Sequence, residues 1–275
     1  MRVAAAIVAL ACAGVGAAAA FGAGISPGTI DGGSGVTAAR AGIRYVTVRA
    51  GAGTTVLALR TRDGLVVRSR FMPARYGVPL VTFSSDAGGL SPNGKTLVLE
   101  GVRTSQQNLR SRSRFVLLRA RTLKPARRIE LRGDLSFDAL SPDGRRLFLI
   151  QHAWARDVAR YAVRVLDLRT GRLAARAVVD RDEPNMSGFP VRRATGAGER
   201  WVYTLYTAPS GHPFIHALDT VGVRAVCIDL PAGNSEQIGR ARLVVDPSGK
   251  RLDVVTDGRT LYSVDLRTFK VTKAR

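Results

Sequence analysis

Apolar residues in this chain fall in short runs separated by turn formers, with no long stripe at helical spacing. Residues 134 to 180 show the pattern most clearly. Asp134–Ser141 is followed by Pro142-Asp143-Gly144, then Arg146–Gln151, Tyr161–Asp167, Thr170-Gly171 and Leu173–Val179. Runs of this length, rich in Val, Leu, Phe and Tyr and bounded by Gly, Pro and Asp, read as strands joined by tight turns. Four of them in succession predict one small antiparallel sheet. In the second run Leu147, Phe148, Leu149 and Ile150 are apolar at consecutive positions. Both faces of that strand should therefore be covered by neighbouring sheets. The fourth run carries Arg172 and Arg176, as the comparable runs carry Arg127, Arg128 and Arg132, or Arg68 and Arg70. Charges of this kind suit an outermost strand, because they discourage edge-to-edge pairing.

The unit repeats. Ser91-Pro92-Asn93-Gly94-Lys95, Ser141-Pro142-Asp143-Gly144-Arg145, Thr195-Gly196-Ala197-Gly198-Glu199 and Asp246-Pro247-Ser248-Gly249-Lys250 each precede an apolar run, and their last glycines lie 50, 54 and 51 residues apart. A second frame keeps the same step: Arg60, Arg119, Asp167, Asp219 and Asp265 each close an apolar stretch where a turn should begin. Aspartate there accepts hydrogen bonds from backbone N–H groups further along the turn, so these carboxylates read as turn chemistry. A period near 50 residues signals a repeat architecture. Sheets with apolar inner strands and charged outer strands, repeated about five times, predict an all-β fold, a β-propeller of about five four-stranded antiparallel blades. The third strands are expected near 54–60, 114–120, 161–167, 213–219 and 260–266. The first blade must draw its inner strand from residues 28 to 40. The alternative is an incomplete or open propeller that closes by pairing with another molecule.

A Ser-Pro-Asn/Asp-Gly-Lys/Arg turn before an apolar strand, with an Asp-Leu-x-Thr turn later in the repeat, resembles the bacterial propeller repeats of the TolB-like, YVTN and WD-like kind. The resemblance covers most of residues 43–275 and concerns fold. The chain has no YVTN tetrapeptide and no Trp-Asp dipeptide at the expected places, and no functional residue carries over. What the resemblance implies is a scaffold that binds proteins, peptides, glycans or small ligands at the mouth of a central channel.

The N-terminus is of another kind. Met1-Arg2 leads into a charge-free stretch of small and apolar residues through Phe21. This reads as a secretory signal peptide over residues 1–24, with an uncleaved membrane anchor as the alternative. Residues 25–42, rich in Gly, Ser, Thr and Ala, read as a flexible connection, and 43–275 as the propeller domain. A secreted or cell-envelope, extracytoplasmic location follows from the leader. Cys12 falls in the leader and leaves Cys227 alone in the mature chain, read as a small hydrophobe.

The chain has 275 residues and a formal net charge of +21, with 42 basic and 21 acidic side chains. Such a charge attracts polyanions. From Arg103 to Arg132 nine arginines and Lys124 face one acid, Glu130. Arg110, Arg112 and Arg114 alternate, so on an extended strand they share a face and become candidate ligand-binding residues for phosphate or carboxylate. Nucleic acid is not expected as the partner, because the patch lacks interleaved aromatics for stacking. The partner classes are an unknown protein, a glycan or an anionic envelope polymer, with membrane contact only through an uncleaved N-terminus.

Other motifs fail on context. Gly89 to Thr96 matches the spacing of a phosphate-binding loop, but a strand follows it where a helix is needed. His212 and His216 are four apart on an extended segment, about 13 Å along a strand and too far for one ion. His212 stays a candidate ligand-binding residue because its loop, Ala208–Pro213, is the kind of place where binding residues sit. Asp180, Asp182 and Glu183 read as a solvated loop. No nucleophile motif or zinc-protease motif is present, so no catalytic or metal-binding residue is assigned and no cofactor is expected. These readings favour an exported binding or scaffold module. The alternative is a propeller enzyme acting on carbohydrate or another small substrate, which needs carboxylates or histidines such as Asp138, Asp182 and His212 to converge.

Overall fold

The computed structural model describes residues 26–105, 108–208, 211–231 and 235–274. The expected signal peptide and Cys12 lie outside the described residues. The chain forms five antiparallel sheets. A two-residue strand, β1 (Thr29–Ile30), comes first. Blade 1 follows as β2 (Val36–Ala38), β3 (Ile43–Ala50), β4 (Gly53–Arg60) and β5 (Val66–Met72). Blade 2 consists of β6 (Tyr76–Pro79), β7 (Thr96–Gly101), β8 (Arg112–Arg119) and β9 (Lys124–Arg132), with β1 added at its inner edge through Thr29 opposite Pro79. Blade 3 holds β10 (Asp134–Leu140), β11 (Arg146–His152) and β12 (Ala162–Asp167). Blade 4 holds β13 (Phe189–Thr195), β14 (Trp201–Thr207), β15 (Phe214–Asp219) and β16 (Arg224–Asp229). After a short helix, α1 (Ser235–Arg240), blade 5 holds β17 (Arg242–Val245), β18 (Arg251–Thr256), β19 (Arg259–Asp265) and β20 (Val271–Lys273).

All five expected third strands are found, as β4, β8, β12, β15 and β19. Two expectations need correction. Residues 25–42 are not simply a connection, because β1 and β2 fall within them and pair into blades 2 and 1. The fourth strand expected at Leu173–Val179 does not form a continuous ladder. Ala174 donates to the Val165 carbonyl and Val178 to that of Val163, so four residues span the length of two. The surplus bulges outward, and Arg164 is hydrogen-bonded to the freed Ala174 carbonyl at 2.5 Å.

The second strands of blades 2 and 3 are buried on both faces, as their unbroken apolar character requires. Leu97, Val98 and Leu99 are fully buried, and so are Leu147, Phe148 and Leu149. Alternate residues of each strand feed the cores on either side. Val56, Ala58 and Met72 of blade 1 pack on Leu97, Leu99, Val116 and Leu118 of blade 2. Val98, Phe115 and Leu117 turn the other way, onto Leu135, Phe137, Leu147 and Leu149 of blade 3. Phe148 and Val163 meet Val202, Phe214 and Leu218 of blade 4, and Leu205, Ile215 and Ala217 meet Leu252, Val254 and Val264 of blade 5. Four cores thus join five blades in sequence. Among the described residues, no core and no hydrogen bond joins blade 5 back to blade 1.

Three arginines stitch blade 1 to 2, blade 2 to 3 and blade 3 to 4. Arg68 donates to the Arg121 carbonyl, Arg127 to that of Leu168, and Arg146 to that of Val221 at 2.8 Å. Each acceptor lies in the turn after the third strand of the following blade. The aspartates of that turn behave as the repeat suggested. Asp167, Asp219 and Asp265 accept backbone N–H bonds at 2.7–2.8 Å from Thr170, Gly222 and Thr268.

Candidate functional site

The turns after the first strands of blades 1, 2 and 4 and the end of β10 in blade 3 gather at one end of the propeller. Between them lies a cavity of about 700 Å³. Its wall is built from Ala38–Ala41 of blade 1, Leu90–Gly94 of blade 2, Asp138–Leu140 of blade 3 and Arg193–Glu199 of blade 4. Neighbouring turns are tied together, with the Asn93 side-chain amide donating to the Pro142 carbonyl at 3.1 Å.

The floor is made by an excursion of blade 2. Its inner edge breaks after Pro79, and the chain leaves the sheet until Leu90 pairs with Leu97. In this loop Thr82 and Asp86 bond each other at 2.9 Å, and Ser85 adopts a left-handed φ of 69°. The loop reaches blade 4. The Phe83 N–H donates to the Pro190 carbonyl, Arg192 donates to the Ser84 carbonyl, and the Arg193 N–H donates to Asp86 Oδ2 at 2.9 Å. Phe83 also sets its ring against the edge of Phe189. Beneath the loop a second cavity of about 20 Å³, room for about one water, is lined by Phe137, His152, Tyr161 and Tyr206.

The charged pair in the wall, Asp138 and Arg193, is placed by two β-bulges. The ladder between β10 and β11 slips between Phe137 and Ala139, and that between β13 and β14 slips between Pro190 and Arg192. A bulge re-aims side chains that strict alternation would send into a core. Arg193 bonds the Asp138 carboxylate and, at 2.5 Å, its carbonyl. Its Nε donates to Thr204 Oγ1 at 3.1 Å. Arg40 and Glu199 also line the cavity, so its charges are balanced.

The structure separates the candidate residues read from sequence. Arg110 belongs to a buried network between blades 2 and 3. Its Nε lies 3.0 Å from Asp134 Oδ1 and its Nη1 2.9 Å from Glu100 Oε1, and Arg103 grips Asp134 at 2.6 and 2.8 Å. Burial pushes the Asp134 carboxyl up, but Arg103 and Arg110 outweigh it and hold the group below the ordinary range. For Glu100, wholly enclosed, burial prevails over Arg110 and its carboxyl titrates above the usual range. Arg112 is exposed and pairs with Glu130, and Arg114 is exposed on the same face of β8. His212 is exposed, whereas His216 is buried between blades 3 and 4, where burial lowers its imidazole to about 4. None of Arg110, Arg112, Arg114 or His212 lines the cavity. Of Asp138, Asp182 and His212, whose convergence the enzymatic alternative needs, Asp138 lines the cavity and the other two do not. The Cys227 thiol is pushed up to about 12 by burial and by Glu183, Asp180 and Asp229, and stays protonated at neutral pH.

Asp138 and Arg193 were the residues sequence reasoning passed over as a pair. The available signal was a carboxylate inside the run Leu135–Leu140, whose other residues are apolar or, at Ser136, small, since an unpaired charge is costly in a buried strand.

No protein-family model matches the chain, and no curated protein does either. Solved structures do match in fold. The dihydro-heme d1 dehydrogenase NirN superposes with a TM-score of 0.50 at 13% identity, over 85% of this chain and 43% of that one. A putative 6-phosphogluconolactonase from Bacteroides uniformis gives 0.50 at 12% identity, over 87% and 68%. A functionally unknown protein from Desulfotomaculum acetoxidans gives 0.50 at 11%, over 85% and 70%. The chain thus spans less than half the length of NirN. At these identities the likeness is one of fold, and the chain is a propeller-type repeat protein.

Proposed function

We propose that this protein is an exported binding module that takes a neutral or zwitterionic polar ligand, of short-peptide or oligosaccharide size, into the cavity that blades 1 to 4 form at one end of the propeller. The observation that carries the reading is that cavity. Four separate repeats build it, its volume falls in the range of small-ligand sites, and a fixed ion pair sits in its wall. Balanced charge from Arg40 and Arg193 against Asp138 and Glu199 favours a ligand with polar groups over a polyanion. The basic, then charge-free N-terminal stretch supports export.

Peptide and glycan libraries screened against the full chain by thermal shift provide the test. Thr195 is exposed at the rim, so Thr195→Trp fills the entrance without disturbing a core. Binding of any hit should weaken by more than ~10-fold in Thr195→Trp and shift in Arg40→Glu. A hit indifferent to both substitutions would place the ligand elsewhere. Sustained turnover of a glycan or ester, abolished by one substitution, would replace the binding reading with the enzymatic one.

A further inference from the structure

The two ends of the blade series are built differently. On blade 1, Tyr45, Val56, Ala58 and Met72 face blade 2, so alternation turns Val46, Val48, Thr55, Leu57, Leu59 and Phe71 to the opposite side. The strand register lines these up, with Val46 across from Leu57, Val48 from Thr55 and Thr55 from Phe71. Val46 is buried, Val48 and Phe71 stand exposed on this face, and Thr55 and Ser69 add small polar groups. Of the seven large apolar side chains that stand most exposed among the described residues, five belong to blade 1: Val48 at 42%, Leu65, Val66, Val67 at 44% and Phe71 at 58%. Arg44 is the one charged residue in its strand rows.

Blade 5 ends in the opposite style. Its free face sets Val244, Asp253, Ser263 and Thr272 in one cross-strand row, beside Arg242 and Arg251. Asp253 accepts hydrogen bonds from Ser263 Oγ at 2.6 Å and Arg251 Nε at 3.1 Å. A polar outer face is how a terminal repeat is capped. Among the described residues, blade 5 is capped and blade 1 is not.

We infer that the free face of blade 1 is the contact surface of a symmetric dimer, in which blade 1 of one copy packs on blade 1 of a second. Blade 5 is a poor match for that face, because apposing it would bury Asp253 and Arg251 against valine and phenylalanine. A head-to-tail contact of that kind would also propagate into a filament, whereas a blade 1 pair closes on itself. Four strands about 4.8 Å apart and about 20 Å long offer ~400 Å² per partner. That is ~800 Å² for the pair, below what stable specific interfaces bury, so the dimer is transient and concentration-dependent. Each copy carries a large positive charge, so added salt should tighten the dimer by screening the repulsion, the reverse of what an acidic partner would show.

The test is sedimentation equilibrium of the full chain over a range of protein and salt concentrations. The expected mass rises from one copy toward two with concentration, and rises further with salt. Phe71→Asp combined with Val67→Asp should weaken association by more than ~10-fold. Ser69→Arg, at an exposed polar site on the same face, should do the same without touching the core. Val244→Asp on blade 5 should behave as wild type. A single copy throughout, association that survives the blade 1 variants, or loss of association in Val244→Asp would each overturn the inference.

Discussion

Gly144 offers the cleanest measure of what the repeated turn requires. In Ser141-Pro142-Asp143-Gly144 the Gly144 N–H closes the turn onto the Ser141 carbonyl at 2.8 Å, and Asp143 accepts the Arg145 N–H at 3.0 Å. Gly144 sits at φ 69°, in the left-handed region. A Cβ built there meets nothing within 4 Å. The cost of a side chain is therefore the backbone term alone, about 1–2 kcal/mol for alanine and toward 3 kcal/mol for the β-branched valine. For a domain of this size 1 kcal/mol corresponds to roughly 2–4 °C. Gly144→Val should then lower the melting midpoint by about 5–10 °C, read by far-ultraviolet circular dichroism. Gly89 is the contrast. At φ 95° its Cβ would stand 2.4 Å from the Val98 carbonyl oxygen and 3.0 Å from Pro79, so Gly89→Ala carries the same backbone strain plus a clash with main chain. It should cost well over 3 kcal/mol. An unchanged midpoint in Gly144→Val would refute the turn assignment. Equal losses in Gly144→Ala and Gly89→Ala would refute the separation of strain from contact.

Three further outcomes follow from the charge distribution. Asp219 accepts hydrogen bonds from the Arg200 guanidinium at 2.8 Å and from the Val221 and Gly222 N–H groups. Burial works against the carboxylate, but these donors prevail and bring its pKa to about 2. A carboxyl depressed in the folded state stabilises above its unfolded value near 4 and loses that contribution as pH falls from about 4 to 2. Since Arg200 is half exposed, the contribution is on the order of 1–2 kcal/mol, and Asp219→Asn should flatten the acid limb of a melting-point profile while leaving the midpoint at pH 2 unchanged. Asp134→Ala strands Arg103, whose side chain is 1% exposed, and should cost about 3–5 kcal/mol. Arg112→Ser with Arg114→Ser should stay within ~0.5 kcal/mol in the same melts and lower low-salt binding of polyphosphate only slightly. A loss above ~10-fold would identify a local anion site on β8.

The five-blade plan was legible because each feature that fixes it is local. A left-handed glycine after Asn, Asp or Ser, an aspartate that caps its own turn, and a strand apolar on both faces act within a few residues and recur every 50 or so. Repetition made those short signals additive. The fate of the arginines was not legible. Arg110, Arg112 and Arg114 share an alternating pattern, yet Arg110 turns inward because Glu100 and Asp134, brought in by two different blades, offer it buried carboxylates. Arg68, Arg127 and Arg146 likewise find backbone carbonyls of the next blade, acceptors that no sequence pattern announces. The cavity also depends on tertiary structure. Its floor comes from a loop that leaves blade 2 to bond blade 4, and Asp138 and Arg193 meet there only because each strand slips register by a bulge. Sequence determines the strands and their turns, since those are set by backbone preference and local hydrogen bonds. Which charges pair, which faces stay open and where the blades leave room are settled by contacts between different blades, and those exist only after the blades have packed.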